Sequence, residues 1–342
     1  MDLYAPIVRH LIYPAWVKKN GSGMLHLLDE YERSQYLSPD ELKAIQWSRL
    51  TRLVAHAYEH CYFYRRRFDG IGMHPADLKT PEDFRSVPPL TKTEIQEHLA
   101  ELANRSYLER ELIKDMTGGS TGSPLVFYYD RVRRDSREAS RIRHNRWAGW
   151  DMGDRVAALW GAPRLPSGRT AKLRNRLLRL PIQLDAGSLS EEKMFQFAKQ
   201  IGRYRPKVLL AYSNLMDLFA KFVQTNRIEV PRLSGIICTA EVLQEEQRRR
   251  IESVFGCPVF VRYGSREVAL IASECERHQG LHLNAESLYM EIIREGKEAR
   301  QNESGEVLIT DLLNDAMPLI RYRIGDVATV VEGADPSAIA GS

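Results

Sequence analysis

The chain has 342 residues, of which 43% are hydrophobic and 27% charged, with a formal net charge of +4. That length buries one large core or two medium ones, the balance is that of a globular protein, and so small a charge argues against a nucleic-acid partner. No apolar run reaches the roughly 18 residues of a membrane-spanning helix. The start lacks the continuous apolar stretch of a signal peptide, and the 4 cysteines are too few and scattered for a disulfide framework. A cytoplasmic protein with reduced thiols is expected.

In chain order, residues 1–105 read as mainly helical. Leu42, Ile45, Leu50, Leu53, Val54 and Tyr58 follow a helical spacing, and Ser38-Pro39-Asp40-Glu41 has the form of a helix start. Prolines 75, 81, 88 and 89 mark a loop, after which Thr91 and Glu94 form a capping pair for a short helix. From residue 111 strands and helices alternate. Strands are expected at Leu125–Tyr129, Arg155–Leu159, Val208–Leu210, Gly235–Cys238 and Val259–Arg262. Helices are expected near 135–149, 190–203, 213–226 and 244–255. That alternation predicts an α/β fold with parallel strands and helices on both faces. Beyond residue 280 short runs at Tyr289–Ile293, Glu306–Thr310 and Ala328–Val331 predict a small antiparallel region. Residues 331–342 read as a tail.

The densest local signal is Thr117-Gly118-Gly119-Ser120-Thr121-Gly122-Ser123-Pro124. Glycines let backbone N–H groups crowd toward one point, and hydroxyls add donors, which suits phosphate oxygens. It is not a Walker A loop, because no Gly-Lys-Ser/Thr follows. A polar turn has the same composition, so the loop alone leaves both readings open. Tyr263-Gly264-Ser265-Arg266-Glu267 follows an apolar strand, and Arg321-Tyr322-Arg323-Ile324-Gly325-Asp326 comes later. An aromatic at a strand end can stack on a base, a nearby carboxylate can hold Mg²⁺, and a further Asp can accept from ribose hydroxyls.

This ordered set resembles the acyl-adenylate-forming superfamily, and within it the phenylacetate–coenzyme A ligase group with its capsule-cluster and coenzyme F390 synthetase-like relatives. The resemblance covers nearly the whole chain. Tyr62-Phe63-Tyr64-Arg65 to Phe68, Pro81-Glu82-Asp83-Phe84 and Pro88-Pro89-Leu90-Thr91-Lys92 look like that group's N-terminal signature. Thr239-Ala240-Glu241 is similar to the turn that packs by adenine in the family. The resemblance implies a large adenylating domain over 1–330. It also implies that Thr117, Gly118, Gly119, Ser120, Thr121 and Gly122 meet the triphosphate of ATP. Ala240, Glu241, Tyr263 and Gly264 would lie by adenine, Glu267 would ligate Mg²⁺, and Asp326 would hold the ribose. The implied reaction is adenylation of a small carboxylic acid with loss of pyrophosphate, then transfer to coenzyme A or another acceptor.

Ser123 stands where many members carry Lys, and Arg266 replaces the hydroxyl residue before the motif's Glu, where it can compensate or meet the substrate carboxylate. Members continue into a small mobile domain that supplies a Lys for adenylation. The sequence given has no counterpart: if it is complete it is expected to bind nucleotide and adenylate poorly, and if it is part of a longer protein that protein is expected to be an ordinary ligase. Cys275, His278 and His282 have a spacing able to place thiolate and imidazole around Zn²⁺, and a surface loop with incidental histidines explains them as well. Cys238 and Cys257 are expected as buried apolar residues.

Two basic stretches remain. Arg131 to Arg146 is expected as a solvated helix face. Arg169, Lys172, Arg174, Arg176 and Arg179, interleaved with leucines, suit an anionic membrane surface or an acidic carrier. Trp147, Trp150, Trp160 and Tyr212 fall where a pocket or a core is equally served. An adenylyl transferase of the coenzyme F390 synthetase type and a non-catalytic nucleotide-binding partner are the alternatives.

Overall fold

The computed structural model describes residues 2–118, 124–161, 173–175, 177–179, 181–185, 187, 190–330 and 338–341. Its strands are β1 (Ile113–Met116), β2 (Val126–Tyr129), β3 (Val156–Trp160), β4 (Ile182–Asp185), β5 (Val208–Tyr212), β6 (Gly235–Thr239) and β7 (Val259–Ser265). They continue as β8 (Ala269–Ser273), β9 (Leu281–Leu283), β10 (Leu288–Arg294), β11 (Lys297–Glu298), β12 (Ser304–Asp311), β13 (Tyr322–Val330) and β14 (Ala338–Gly341). The chain falls into two compact units. One holds Met1–Leu25, Arg141–Gly264 and Ala272–Leu281; the other holds His26–Ser140, Ser265–Ile271 and His282–Ser342.

The first unit contains a parallel sheet in the order β7-β6-β5-β3-β4. Side chains alternate across it, so Ala157, Leu159, Leu209, Ala211, Ile236, Cys238 and Val259 share one face. Three helices, Glu191–Tyr204, Ser213–Thr225 and Glu245–Phe255, bury Phe197, Ile201, Met216, Phe219, Ile251 and Phe255 against that face. Burying a side chain of this size contributes about 1.5–3 kcal/mol, which makes this cluster the unit's main source of stability. Ser190 caps the first of these helices by accepting from Lys193 N at 3.3 Å, and Gly256 ends the third in the left-handed conformation.

On the opposite face the sheet meets the chain just past the helix Arg131–Trp147. A Cβ built on Gly235 would stand 3.0 Å from the Ala148 carbonyl and 2.9 Å from Phe260 Cε2. Gly235→Ala is therefore expected to destabilise by about 1–3 kcal/mol through overpacking. A urea midpoint equal to that of the wild type would show that the helix end is not seated here.

The second unit pairs its antiparallel strands in the order β11-β10-β12-β13-β14. Residues 331–342, read as a tail, thus contribute a strand: Ala328 to Val330 on β13 pair with Gly341 to Ile339 on β14. Ser38 and Thr91 start helices Pro39–His60 and Lys92–Glu97 with reciprocal capping boxes, as their spacing predicted. The N-terminal signature is fastened to β13. Leu90 N donates to Arg321 O at 3.0 Å and Arg323 N to Leu90 O at 2.9 Å, while the buried Arg321 pairs with Glu291 at 2.9 Å. Among the described residues no helix is long and apolar enough to cross a membrane.

Candidate active site

In the second unit, β1 and β2 form an antiparallel pair with Met116 opposite Val126. Thr117 closes the connection between them: its N–H donates to Leu125 O at 3.0 Å, and its Oγ1 accepts from Leu125 N at 2.8 Å. The phosphate-loop expectation for Gly119, Ser120, Thr121 and Gly122 lies outside the described residues; Thr117 and Gly118 stand at its entrance. Arg266 reaches the same entrance, donating from Nε to Met116 O at 3.3 Å and lying 3.4 Å from Asp115 Oδ1. A guanidinium is thus placed beside the loop that lacks a lysine.

Glu267 is buried and accepts a hydrogen bond on Oε1 from the Tyr322 hydroxyl at 3.0 Å. Burial and the carboxylates of Glu267 and Asp326 push the Tyr322 hydroxyl well above the usual phenol range, so it remains a donor. Among the described residues the other oxygen, Oε2, has no hydrogen-bond partner. One oxygen fixed by a neutral donor and one left open suits a carboxylate that ligates a divalent cation.

Asp326 is exposed and belongs to an irregular stretch of β13. Glu306 pairs with Val327, yet Leu308 pairs with Arg323, so Ile324, Gly325 and Asp326 bulge opposite Val307. Gly325 takes φ 94°, a backbone that favours glycine. Such a bulge re-aims side chains, and here it breaks the alternation that would otherwise set the direction of Asp326.

The helix Arg131–Trp147 holds the Glu267 segment from behind. Arg133 is fully buried, pairs with Asp311 at 2.7 Å and donates to Val268 O at 2.8 Å. Four residues on, one turn along the same face, Arg137 donates to Glu267 O and lies over the Tyr129 ring at 4.1 Å. Burial and the neighbouring Arg133 lower the Arg137 guanidinium to about 10. The expectation of a solvated basic face holds only in part: Arg131 and Arg134 are exposed, but Arg133 and Arg143 are buried, because the helix is packed on more than one side. Arg133 and Arg137, which hold the backbone at Val268 and Glu267, are what sequence reasoning missed. The available signal was their spacing of four, with no acidic partner at i+4.

In the first unit, β3, β5 and β6 end at Trp160, Tyr212 and Thr239, and Tyr212, Thr239 and Arg262 of β7 lie side by side in register. Carboxyl ends of parallel strands are where open α/β sheets receive ligands. The Trp160 and Tyr212 rings lie tilted by 37° with centroids 4.6 Å apart. Tyr263 and Gly264 are the next residues of β7. After β6 the chain turns sharply, with Ala240 at φ 70°, an unusual conformation for a residue with a Cβ. Glu241 Oε2 accepts from Asn214 N at 2.9 Å and its carbonyl accepts from Ser213 Oγ at 2.8 Å. One oxygen of its carboxylate is therefore engaged at the start of the helix Ser213–Thr225.

The zinc expectation finds no support in the geometry. Among the described residues no three His, Cys, Asp or Glu side chains assemble as a metal set. Cys275 and His278 share a turn, and the His278 ring lies 4.9 Å from Phe260 and 3.3 Å from Glu274 Oε2. Cys238 and Cys257 are buried as expected, and burial pushes both thiols up to about 12. Of the second basic stretch, Arg169, Lys172 and Arg176 lie outside the described residues. Arg179 pairs with Asp2, so it is not a free membrane contact.

No model of a protein family matches the chain. Individual proteins do. The phenylacetate–coenzyme A ligase of Escherichia coli (strain K12) is 28% identical over 305 residues, covering 86% of this chain and 69% of that protein. Protein CapK of Staphylococcus aureus is 26% identical over 251 residues, covering 72% and 54%. Among solved structures, 2-hydroxyisobutyryl-CoA ligase in an open conformation with 2-HIB-AMP and CoA superimposes with a TM-score of 0.71 at 20% identity. That match spans 89% of this chain and 74% of the other.

Proposed function

From a chain with the fold of an adenylate-forming ligase, similar along most of its length to phenylacetate–coenzyme A ligases and to CapK, we propose ATP-dependent adenylation of a small carboxylic acid. The observation that carries this reading is the Glu267–Tyr322 pair with Asp326 on the adjoining bulge. On this reading residues 1–330 are the adenylating domain, and the acyl group passes next to coenzyme A, as in the named ligases.

A carboxylate is already a nucleophile, so positioning and charge neutralisation matter more than proton transfer. The acid's oxygen attacks the α-phosphorus, the bond to the bridging oxygen breaks, and pyrophosphate leaves with the electron pair. Mg²⁺ bound at Glu267 would supply charge neutralisation on the phosphates. Tyr322 holds that carboxylate in one orientation, Arg137 and Arg133 fix the backbone on which it stands, and Arg266 brings positive charge to the loop entrance. Asp326 accepts from the ribose hydroxyls.

Calorimetry with ATP tests the ribose role. Asp326→Ala is expected to weaken binding by about tenfold, a loss of about 1.4 kcal/mol. Equal affinity in both proteins would remove Asp326 from the site. Product mass in the presence of ATP and an acid panel separates acyl-adenylate formation from transfer of AMP to a final product.

A further inference from the structure

We propose that the first unit carries a docking surface for an anionic lipid bilayer, formed by the helix over residues 4–19 and the leucines beside it. Tyr4–Ile7, Val8–Ile12 and Tyr13–Lys19 run on as one helix, the middle part with π-helical bonding. One side of it is seated. Ala5, Val8 and Val17 are buried, and a Cβ built on Gly153 would stand 2.5 Å from Ala5 O and 2.9 Å from Val8 Cβ. Arg9 ties the helix down further, pairing with Asp151 at 3.1 Å and donating to Met152 O at 3.3 Å. The other side is open. Leu3, Ile7 and Leu11, each four residues from the next and so aligned along the helix, are 75%, 45% and 66% exposed. Pro6, His10 and Ala15 are exposed with them.

A second segment lies beside the helix's first turn. The Tyr4 hydroxyl donates to Leu177 O at 3.1 Å, and Arg179 pairs with Asp2 and lies over the Tyr4 ring at 4.6 Å. Leu173 and Leu177 are exposed themselves, so they extend the apolar row. An exposed apolar surface of this kind marks a contact site, and its border says what it contacts. Lys18 and Lys19 are exposed where the helix ends, next to the exposed Trp16, and Arg174 is exposed between the leucines. The sequence has no Asp or Glu over residues 3–28 or 155–184, and Asp2, the acid at the edge, is taken up by Arg179. An apolar stripe with a cationic, acid-free border suits a helix lying in the plane of an anionic interface, sunk about 5–10 Å into it. A second copy of the chain would bring like charges together. A protein partner is chosen by hydrogen-bonding groups, and among the described side chains of the row His10 is the one that offers them.

Sedimentation of residues 1–342 with vesicles at about 0.1 M salt compares phosphatidylcholine alone with a mixture holding about one-third phosphatidylglycerol. The mixture is expected to bind the chain about tenfold or more tightly. Ile7→Ser with Leu11→Ser should weaken that binding about tenfold or more, with little dependence on salt. Lys18→Glu with Lys19→Glu should weaken it by a similar factor, and the gap to the wild type should narrow as salt is raised. All four side chains are exposed, so Tm and ATP affinity should match the wild type in both variants. A wild-type chain that leaves the phosphatidylglycerol vesicles unbound overturns the inference, as does equal binding to both kinds of vesicle. Unchanged binding by the Ile7 and Leu11 variant would mean that charge alone holds the chain, as it would to any polyanion, an acidic protein included, and overturns it too. A chain that binds no vesicle but is dimeric, and becomes monomeric in that variant, would assign the surface to a contact between copies.

Discussion

Glu267→Gln is expected to slow acyl-adenylate formation about 100-fold or more, a rise of roughly 2.7 kcal/mol in the barrier, with little change in Tm. The amide keeps the size of the side chain and an oxygen that can accept from the Tyr322 hydroxyl, 3.0 Å away in the wild type. What it loses is the negative charge. A carboxylate beside a polyphosphate is repulsive unless a cation lies between them, so the charge matters only through Mg²⁺. Titrating ATP with and without Mg²⁺ separates the cases. The wild type should bind ATP more tightly with the metal, and the variant should show no such gain. A variant that keeps the Mg²⁺ enhancement would return Glu267 to a structural partner of Tyr322.

Asp311→Ala should give the largest loss of stability. Asp311 and Arg133 are both completely buried and 2.7 Å apart, so removing the carboxylate strands a guanidinium out of water. Breaking such a pair costs about 3–5 kcal/mol. That is a large part of the roughly 5–15 kcal/mol that holds a typical protein folded. Thermal denaturation should show a fall of roughly 6–20 °C. A double replacement, Arg133→Met with Asp311→Leu, should recover most of it, since buried ion pairs are often replaceable by apolar groups of similar volume. Adenylation should not recover with it, because Arg133 also donates to the carbonyl of Val268, next to Glu267. Full activity in the double variant would mean that this backbone clamp is not needed.

What the sequence determined by itself was local. Ser38 and Thr91 start helices because a hydroxyl at the cap and a Glu three residues later satisfy orphan amides without help from the rest of the chain. The runs at 208, 235 and 259 read as parallel strands because they alternate with helical segments along the chain. The ordered motifs around Thr117, Tyr263 and Tyr322 each carry backbone or side-chain groups suited to one part of a nucleotide, and the adenylating chemistry was implied by their resemblance to the acyl-adenylate-forming superfamily. β4 was invisible because Ile182-Gln183-Leu184-Asp185 has one buried position and little β-branching. β13 was read six residues short, because its bulge at Gly325 interrupts the alternation that marks a strand. Only the tertiary structure decided which arginines are buried. Arg133 and Arg137 look like any basic helix face until Asp311, Val268 and Glu267, more than a hundred residues away, are brought against them.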